Sequence, residues 1–418
     1  MYSFIHAADI HLDSPLRGIE VPEESVRDEI RGATRRAFDN LVELALREHV
    51  AFIVLAGDLF DGDWKDFNSG LYFAKRMARL RESGVQVFIV SGNHDAVSHV
   101  TKALSLPENV FVFSSRKTQT HRLESIQVAI HGQGYAGRAV SEDLSRNYPP
   151  PVEGFFNIGL LHTALNGREG HEPYAPCTVD GLRAKGYQYW ALGHVHQREV
   201  VWEDDPWIVF PGNTQGRTIR ETGAKGCTLV TVADGLAHRV EHVDLDVLRW
   251  DLCRVDVSEC RGPEEILEKA RGRMLNVLKF GDGRPVVARL ELHGATPMHQ
   301  RLQANPTHWE EALRSLAADL GGDDLCLEKI RLRTKEHLDL ETLIQSNEAL
   351  GGLITSLLDL EMDADALRDI DPDFEAFLNK LPAELFTGED AFAPTQPEQW
   401  AEIRTDVKNI LVAQLLQT

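Results

Sequence analysis

The chain has 418 residues, 43% apolar and 26% charged, enough for two or three globular domains with a sizeable core. Its 44 basic and 65 acidic residues leave a net charge of −21, which argues against a general polyanion binder or a protein of anionic membrane surfaces. Two thirds of that imbalance is local: residues 1–250 carry −7, residues 251–335 are neutral, and residues 336–418 carry −14.

No apolar run reaches the roughly 18–20 residues that span a bilayer. The start, Met1 to Asp9, has no basic n-region and too short an apolar stretch for a signal peptide. Cys177, Cys227, Cys253, Cys260 and Cys326 are odd in number and form no Cys-x-x-Cys pair. Reduced thiols and a cytoplasmic setting are therefore expected, not a zinc ribbon or a disulfide framework.

In chain order, Ser3–Ala8 reads as a strand, Thr34–Arg47 as a helix, and the AFIVLA run Ala51–Ala56 as a buried strand. Leu71–Leu80 is helical and ends at Gly84. Strands follow at Val85–Val90, Ile126–His131, Asn157–Leu161 and Tyr189–Leu192, which makes an α/β layered domain. Glu199–Trp202, Trp207–Phe210 and Cys227–Val232 continue it as a mixed-sheet region. After Trp250 a small α+β unit is predicted: strands Leu252–Val257, Val286–His293 and Leu325–Leu332, with helices near Pro263–Leu278 and His308–Leu320. The tail carries two amphipathic stripes, one from Leu340 to Leu357 and one from Trp400 to Leu411, separated by proline-bearing loops.

Five polar clusters each follow a predicted strand: Asp9-Ile10-His11, Gly57 to Asp61, Gly92-Asn93-His94-Asp95, His162, and Gly193-His194-Val195-His196. Strand C-termini are where α/β folds assemble sites, so residues nearly 190 positions apart can meet on one sheet edge. Asp9 and His11 stand two apart, as do His194 and His196, so each pair reaches one point only from irregular backbone. Two carboxylates, four imidazoles and one amide suffice for two adjacent cations if one carboxylate bridges. Mixed nitrogen and oxygen donors suit manganese, iron or zinc better than magnesium. Singly, each cluster is weak; together and in this order they point to a metal site. The other histidines have blander readings. His6, His121 and His131 are expected to be structural, and His171 sits in a polar loop. Asp13 reads chiefly as a turn residue, and Asp95 either caps its loop or supports the site.

This order of motifs resembles the calcineurin-like metallophosphoesterases, and within them the SbcD and YhaO nucleases of bacteria, relatives of the double-strand-break repair nuclease. Phe4 to Pro15, Glu172 to Cys177, Tyr189 to His196, Phe210 to Gln215 and Lys225-Gly226 carry the narrower likeness. It covers residues 3–250 well and 251–335 less well. The resemblance implies a two-sheet α/β metallophosphoesterase sandwich flanked by helices (1–250), a small α+β capping domain (251–335) and an acidic helical tail (336–418). It implies two divalent cations, manganese first, with iron or zinc as alternatives. Asp9, His11, Asp58 and His196 would hold one; Asp58, Asn93, His162 and His194 would hold the other. His94 would contact the phosphate and assist the leaving oxygen, oriented by Asp61. The archaeal and eukaryal relatives often have histidine where Asp61 stands, so this chain sides with the bacterial type.

The implied activity is DNA phosphodiester hydrolysis, as exonuclease or endonuclease, in DNA repair. The implied partner is an SMC-like coiled-coil ATPase gripped by the C-terminal helices, and a homodimer is plausible. Two other readings stay open: a phosphohydrolase of nucleotides or cyclic nucleotides, and a non-catalytic scaffold for the ATPase. A calcium loop in the tail is excluded, because Phe374 and Lys380 occupy the glycine and glutamate positions of an EF-hand that would begin at Asp369.

Overall fold

The computed structural model describes residues 1–14, 24–60, 67–95, 105–137, 140–165 and 175–336, with scattered positions beyond 351. The chain forms two compact units, residues 1–336 and 337–418. Within the second, the tail stripes lie almost wholly outside the described residues, as do Asp61 and His171 of the first. Among the described residues, no helix is long and apolar enough to cross a membrane.

The first unit begins with β1 (Tyr2–Ala7), α1 (Glu24–Arg47), β2 (Phe52–Ala56), α2 (Phe67–Glu82), β3 (Gln86–Val90) and β4 (Val110–Val112). It continues with β5 (Gln119–Leu123), β6 (Val128–Gly132), β7 (Phe156–His162), α3 (Val179–Arg183) and β8 (Tyr189–Gly193). Then come β9 (Glu199–Trp202), β10 (Trp207–Phe210), β11 (Gly226–Ala233) and β12 (Leu236–Asp244). Two six-stranded mixed sheets result, in the orders β12-β11-β1-β2-β3-β4 and β5-β6-β7-β8-β10-β9.

Strand alternation builds the sandwich. Along β1 and β2, Phe4, Phe52, Val54 and Ala56 face the second sheet, meeting Ile158, Leu160, Tyr189 and Ala191. Ile5, Ala7, Ile53 and Leu55 face the other way, against Phe38 and Leu41 of α1 and Phe73 and Met77 of α2. Both faces are dry, so these strands read as continuous apolar runs. Phe4 stacks on Phe52 at 4.9 Å and meets Tyr189 edge-on at 5.4 Å, which locks the two sheets face to face. His6 is structural: its Nε2 donates to the Leu192 carbonyl and its Nδ1 lies 3.0 Å from the Tyr189 hydroxyl.

β4, β5 and β12 escape the sequence reading: all three are edge strands with half-exposed side chains, the apolar β4 is only three residues long, and β5 and β12 carry no apolar run. The first helix also starts ten residues before the predicted Thr34.

A third sheet follows, all parallel, in the order β13 (Arg249–Asp256), β14 (Val286–Thr296), β15 (Leu325–Glu336). Parallel strands need crossovers, supplied by α4 (Pro263–Gly281), then by α5 (His299–Ala304) and α6 (Pro306–Gly321). Pro263 opens α4 with Glu264 and Glu265 in its first turn, and the left-handed Asp282 closes it. Ile266, Met274, Trp309 and Leu313 cover one face of the sheet.

Candidate metal centre

The C-terminal ends of β1, β2, β3, β7 and β8 share one rim of the sandwich; His162 closes β7, Gly193 closes β8, and the other three clusters lie just beyond β1, β2 and β3. The backbone there is irregular, as the two-residue spacings require. Asp9, His11, Asp58 and His194 all have positive φ (50°, 45°, 51° and 104°), a conformation that non-glycine residues adopt only when their surroundings impose it. Those surroundings are the loops themselves. Asp9 N–H donates to the Gly57 carbonyl, His11 N–H to that of Asp58 and Leu12 N–H to that of Leu59. Parallel pairing thus outlives the regular strands.

Gly57 combines a φ of 91° with close approach, since a Cβ there would run into His162 Nδ1. Asp95 caps the turn after β3. Its carboxylate accepts from the N–H groups of Leu59, Phe60 and Gly92 at 3.1, 2.9 and 3.1 Å, joining the β2 and β3 loops.

Two donor groups result. Asp9, His11 and His196 bring their candidate ligand atoms within 4.8 Å of one another, and so do Asp58, His162 and His194. Asp58 Oδ2 stands between them, 3.9 Å from His11 Nε2 and 3.5 Å from His162 Nε2. The Nε2 atoms of His11 and His196 lie 3.3 Å apart. Asn93 Oδ1 is 2.9 Å from His162 Nε2. His94 sits at the rim, its N–H donating to Asp58 Oδ1 at 3.0 Å and its ring centred 5.1 Å from that of His11. Seven proposed ligands and His94 therefore meet in one place.

The donor chemistry fits cations. His162 Nδ1 faces the Ala56 carbonyl at 2.8 Å, and a carbonyl only accepts, so Nδ1 carries the ring's proton. Burial holds this imidazole neutral, its pKa pushed down to about 3. Its Nε2 lone pair therefore meets two further acceptors, Asn93 Oδ1 and Asp58 Oδ2, an arrangement that a cation resolves. Burial first, and the Asp58 charge second, also hold the Asp9 carboxyl well above the usual carboxylate range. A divalent ion beside it reverses that logic.

The other readings separate cleanly. His131 is buried between Thr120 Oγ1 and Asn157 Oδ1, and His121 packs on Phe88 and Phe111. The Asp13 carboxylate accepts a two-pronged bond from Arg35 and another from Ser69. Sequence reasoning missed Glu221, whose Oε1 accepts from His196 Nδ1 at 2.6 Å. Burial raises the Glu221 pKa, but the His196 hydrogen bond and the Arg217 charge outweigh it and hold the carboxyl below its usual range. No spacing rule points to Glu221; the only flags nearby are Phe210 to Gln215 and Lys225-Gly226, which bracket it.

A rim of strand ends on a two-sheet sandwich, bearing paired nitrogen and oxygen donor groups, defines a metal-dependent phosphoester hydrolase of the calcineurin-like class. The calcineurin-like phosphoesterase model matches residues 2–198, and the model of the middle domain of metallophosphoesterase YhaO matches residues 250–335. An uncharacterized metallophosphoesterase YhaO of Bacillus subtilis is 40% identical over 299 residues, covering 71% of this chain and 72% of that protein. The chain belongs to the YhaO family of calcineurin-like metallophosphoesterases.

More distant relatives are named DNA double-strand break repair protein Mre11. That of Methanopyrus kandleri is 28% identical over 305 residues, 66% of this chain and 64% of the relative. That of Sulfurisphaera tokodaii is 27% identical over 274 residues, 63% of this chain and 67% of the relative.

Proposed function

We propose that the protein is a DNA phosphodiesterase that works with two divalent cations and an SMC-like ATPase in DNA repair. The observation that carries the reading is the meeting of two donor groups at Asp58 on one strand-end rim. Relatives whose name places them in double-strand-break repair favour DNA over small phosphoesters. Asp9, His11, Asp58 and His196 would hold one cation, and Asp58, Asn93, His162 and His194 the other, with manganese the first choice. Such a pair, when bound, polarises a phosphoester and makes water a better nucleophile.

The chain's own groups supply the rest. Asp95 and the Asp58–His94 bond fix the turn that presents His94. From the rim its imidazole contacts the phosphate and stabilises or protonates the leaving oxygen. Asp61 keeps its proposed role of orienting His94. Residues 1–250 act as the nuclease domain, 251–335 as its cap and 336–418 as the partner-binding tail. The first of these keeps a charge of −7, so DNA contact is local to the rim and the ATPase supplies much of the grip.

The test is incubation with linear DNA, with and without Mn2+, alone and with the ATPase. Mn2+-dependent cleavage is expected. Failure to cut any DNA form under all of these conditions overturns the reading. Nanomolar affinity of the isolated, metal-loaded chain for duplex DNA at physiological salt would overturn the assignment of grip to the partner.

A further inference from the structure

We infer that Glu221 is a positioning residue that turns His196 toward the Asp9–His11 group and holds it in the metal-binding tautomer. The inference rests on the metal reading of the rim and not on the choice of DNA as substrate.

A carboxylate only accepts, so the 2.6 Å contact, far shorter than the 3.4 Å approach of Arg217 Nη2 to the same nitrogen, places a proton on His196 Nδ1 and directs the lone pair to Nε2. That Nε2 is the atom 3.3 Å from His11 Nε2. Glu221 therefore sits on the side of the ring away from the cation group and is not a further ligand. Its own orientation is fixed by donors on both oxygens. Arg217 Nη2 donates to Oε1 at 3.2 Å, while Asn213 Nδ2 and Arg217 N–H donate to Oε2 at 3.0 and 2.6 Å. With an exposure of 11%, the carboxylate is little screened by water.

The segment around Glu221 also holds the backbone of the His194–His196 loop. Asn213 N–H and Lys225 Nζ both donate to the His196 carbonyl, at 3.2 and 3.0 Å. Gly212, with φ at 80°, lets this strap pass close to that carbonyl, where a Cβ would be 2.9 Å away. At its far side the strap is tied to the third sheet. Trp250 Nε1 donates to the Gly216 carbonyl, Gln215 Nε2 to that of Leu248, and Gly223 N–H to that of Trp250. Side chain and main chain of one ligand are thus set by a single anchored segment, the arrangement through which outer groups tune metal sites.

Two measurements test this. The first is calorimetric titration of the metal-stripped full chain with Mn2+, comparing wild type with Glu221→Ala. Two sites are expected in the wild type. In the variant one should weaken roughly 10- to 100-fold while the other stays within about twofold. A merely structural role would weaken both alike and lower the melting temperature with them, and that result overturns the inference. So does wild-type affinity at both sites. The second is the ring 15N spectrum of His196 in the metal-free wild type, assigned by difference from His196→Gln. A proton on Nδ1 is expected; a proton on Nε2 overturns the inference even if the alanine variant does not fold. Absence of Mn2+ binding by the wild type overturns the metal reading, and the inference with it, so the two failures are told apart by the wild-type arm.

Discussion

The strand-end rim of the sandwich and the three-stranded sheet of residues 249–336 treat buried charge in opposite ways. In the third sheet, acids and bases are matched. Arg289 Nε donates to Glu328 at 2.6 Å with both side chains buried, and Glu291 lies within ion-pairing distance of Arg254, Arg331 and Arg333. Its backbone is regular, with parallel register throughout apart from one bulge at Ala288/Arg289. At the rim, the Asp58 carboxylate faces the neutral His162 imidazole and the Asp9 carboxyl, on backbone pushed to positive φ. Regular backbone accompanies paired charges in the third sheet, and positive φ accompanies the candidate cation-binding groups at the rim.

Four substitutions test how differently the two regions handle charge. The largest effect should come from Asp58→Asn, which removes the carboxylate shared by both donor groups. Several kcal/mol of transition-state stabilisation are at stake, so hydrolysis of bis-p-nitrophenyl phosphate with Mn2+ should fall roughly 1,000-fold or more. Metal content should fall with it.

In the third sheet, Arg289→Met leaves the Glu328 carboxylate buried beside an apolar side chain. That should cost about 3–5 kcal/mol in urea unfolding, with kcat in the same assay unchanged. A catalytic defect without a stability loss would erase the contrast between the two regions.

Smaller in energy is His94→Ala. It should lower kcat roughly 100-fold while both metal sites keep their affinity, because His94 supplies proton or hydrogen-bond chemistry and not ligation. Wild-type biological rescue by this variant would instead favour the scaffold reading.

The last effect shows only as the pH is lowered and concerns His6, behind the rim. Burial pushes its pKa down to about 3 from the ordinary 6.5, against the pull of the Leu192 carbonyl. Between those values the unfolded chain binds a proton that the folded chain refuses, so this group's contribution to stability is complete above about pH 6.5 and shrinks as pH falls toward 3. His6→Gln should flatten the acid-side decline of the urea midpoint, and an unchanged slope would show that His6 is not held neutral.

Much of this was legible in the chain itself. The run AFIVLA at 51–56 reads as a buried strand and Val85–Val90 as another, and polar clusters just after strands of an α/β fold gather at a common edge. The donor types of Asp9, His11, Asp58, Asn93, His162, His194 and His196 set the chemistry before any fold was known. Three things had no local signature. The edge strands β5 and β12 leave their side chains half wet and show no apolar period, and the VFV of β4 is too short to mark a strand by itself. Asp13 stands two residues from His11, yet its carboxylate is taken by Arg35 and Ser69, and only the packing of α1 and α2 decides that. Glu221 is one acidic residue among 65 until the chain brings it 2.6 Å from a histidine 25 positions earlier. Sequence determines which atoms can bind a cation, because that is a property of the side chain. Orientation and tautomer are properties of neighbours, and those neighbours exist only once the two sheets and the segment between them have closed around the rim.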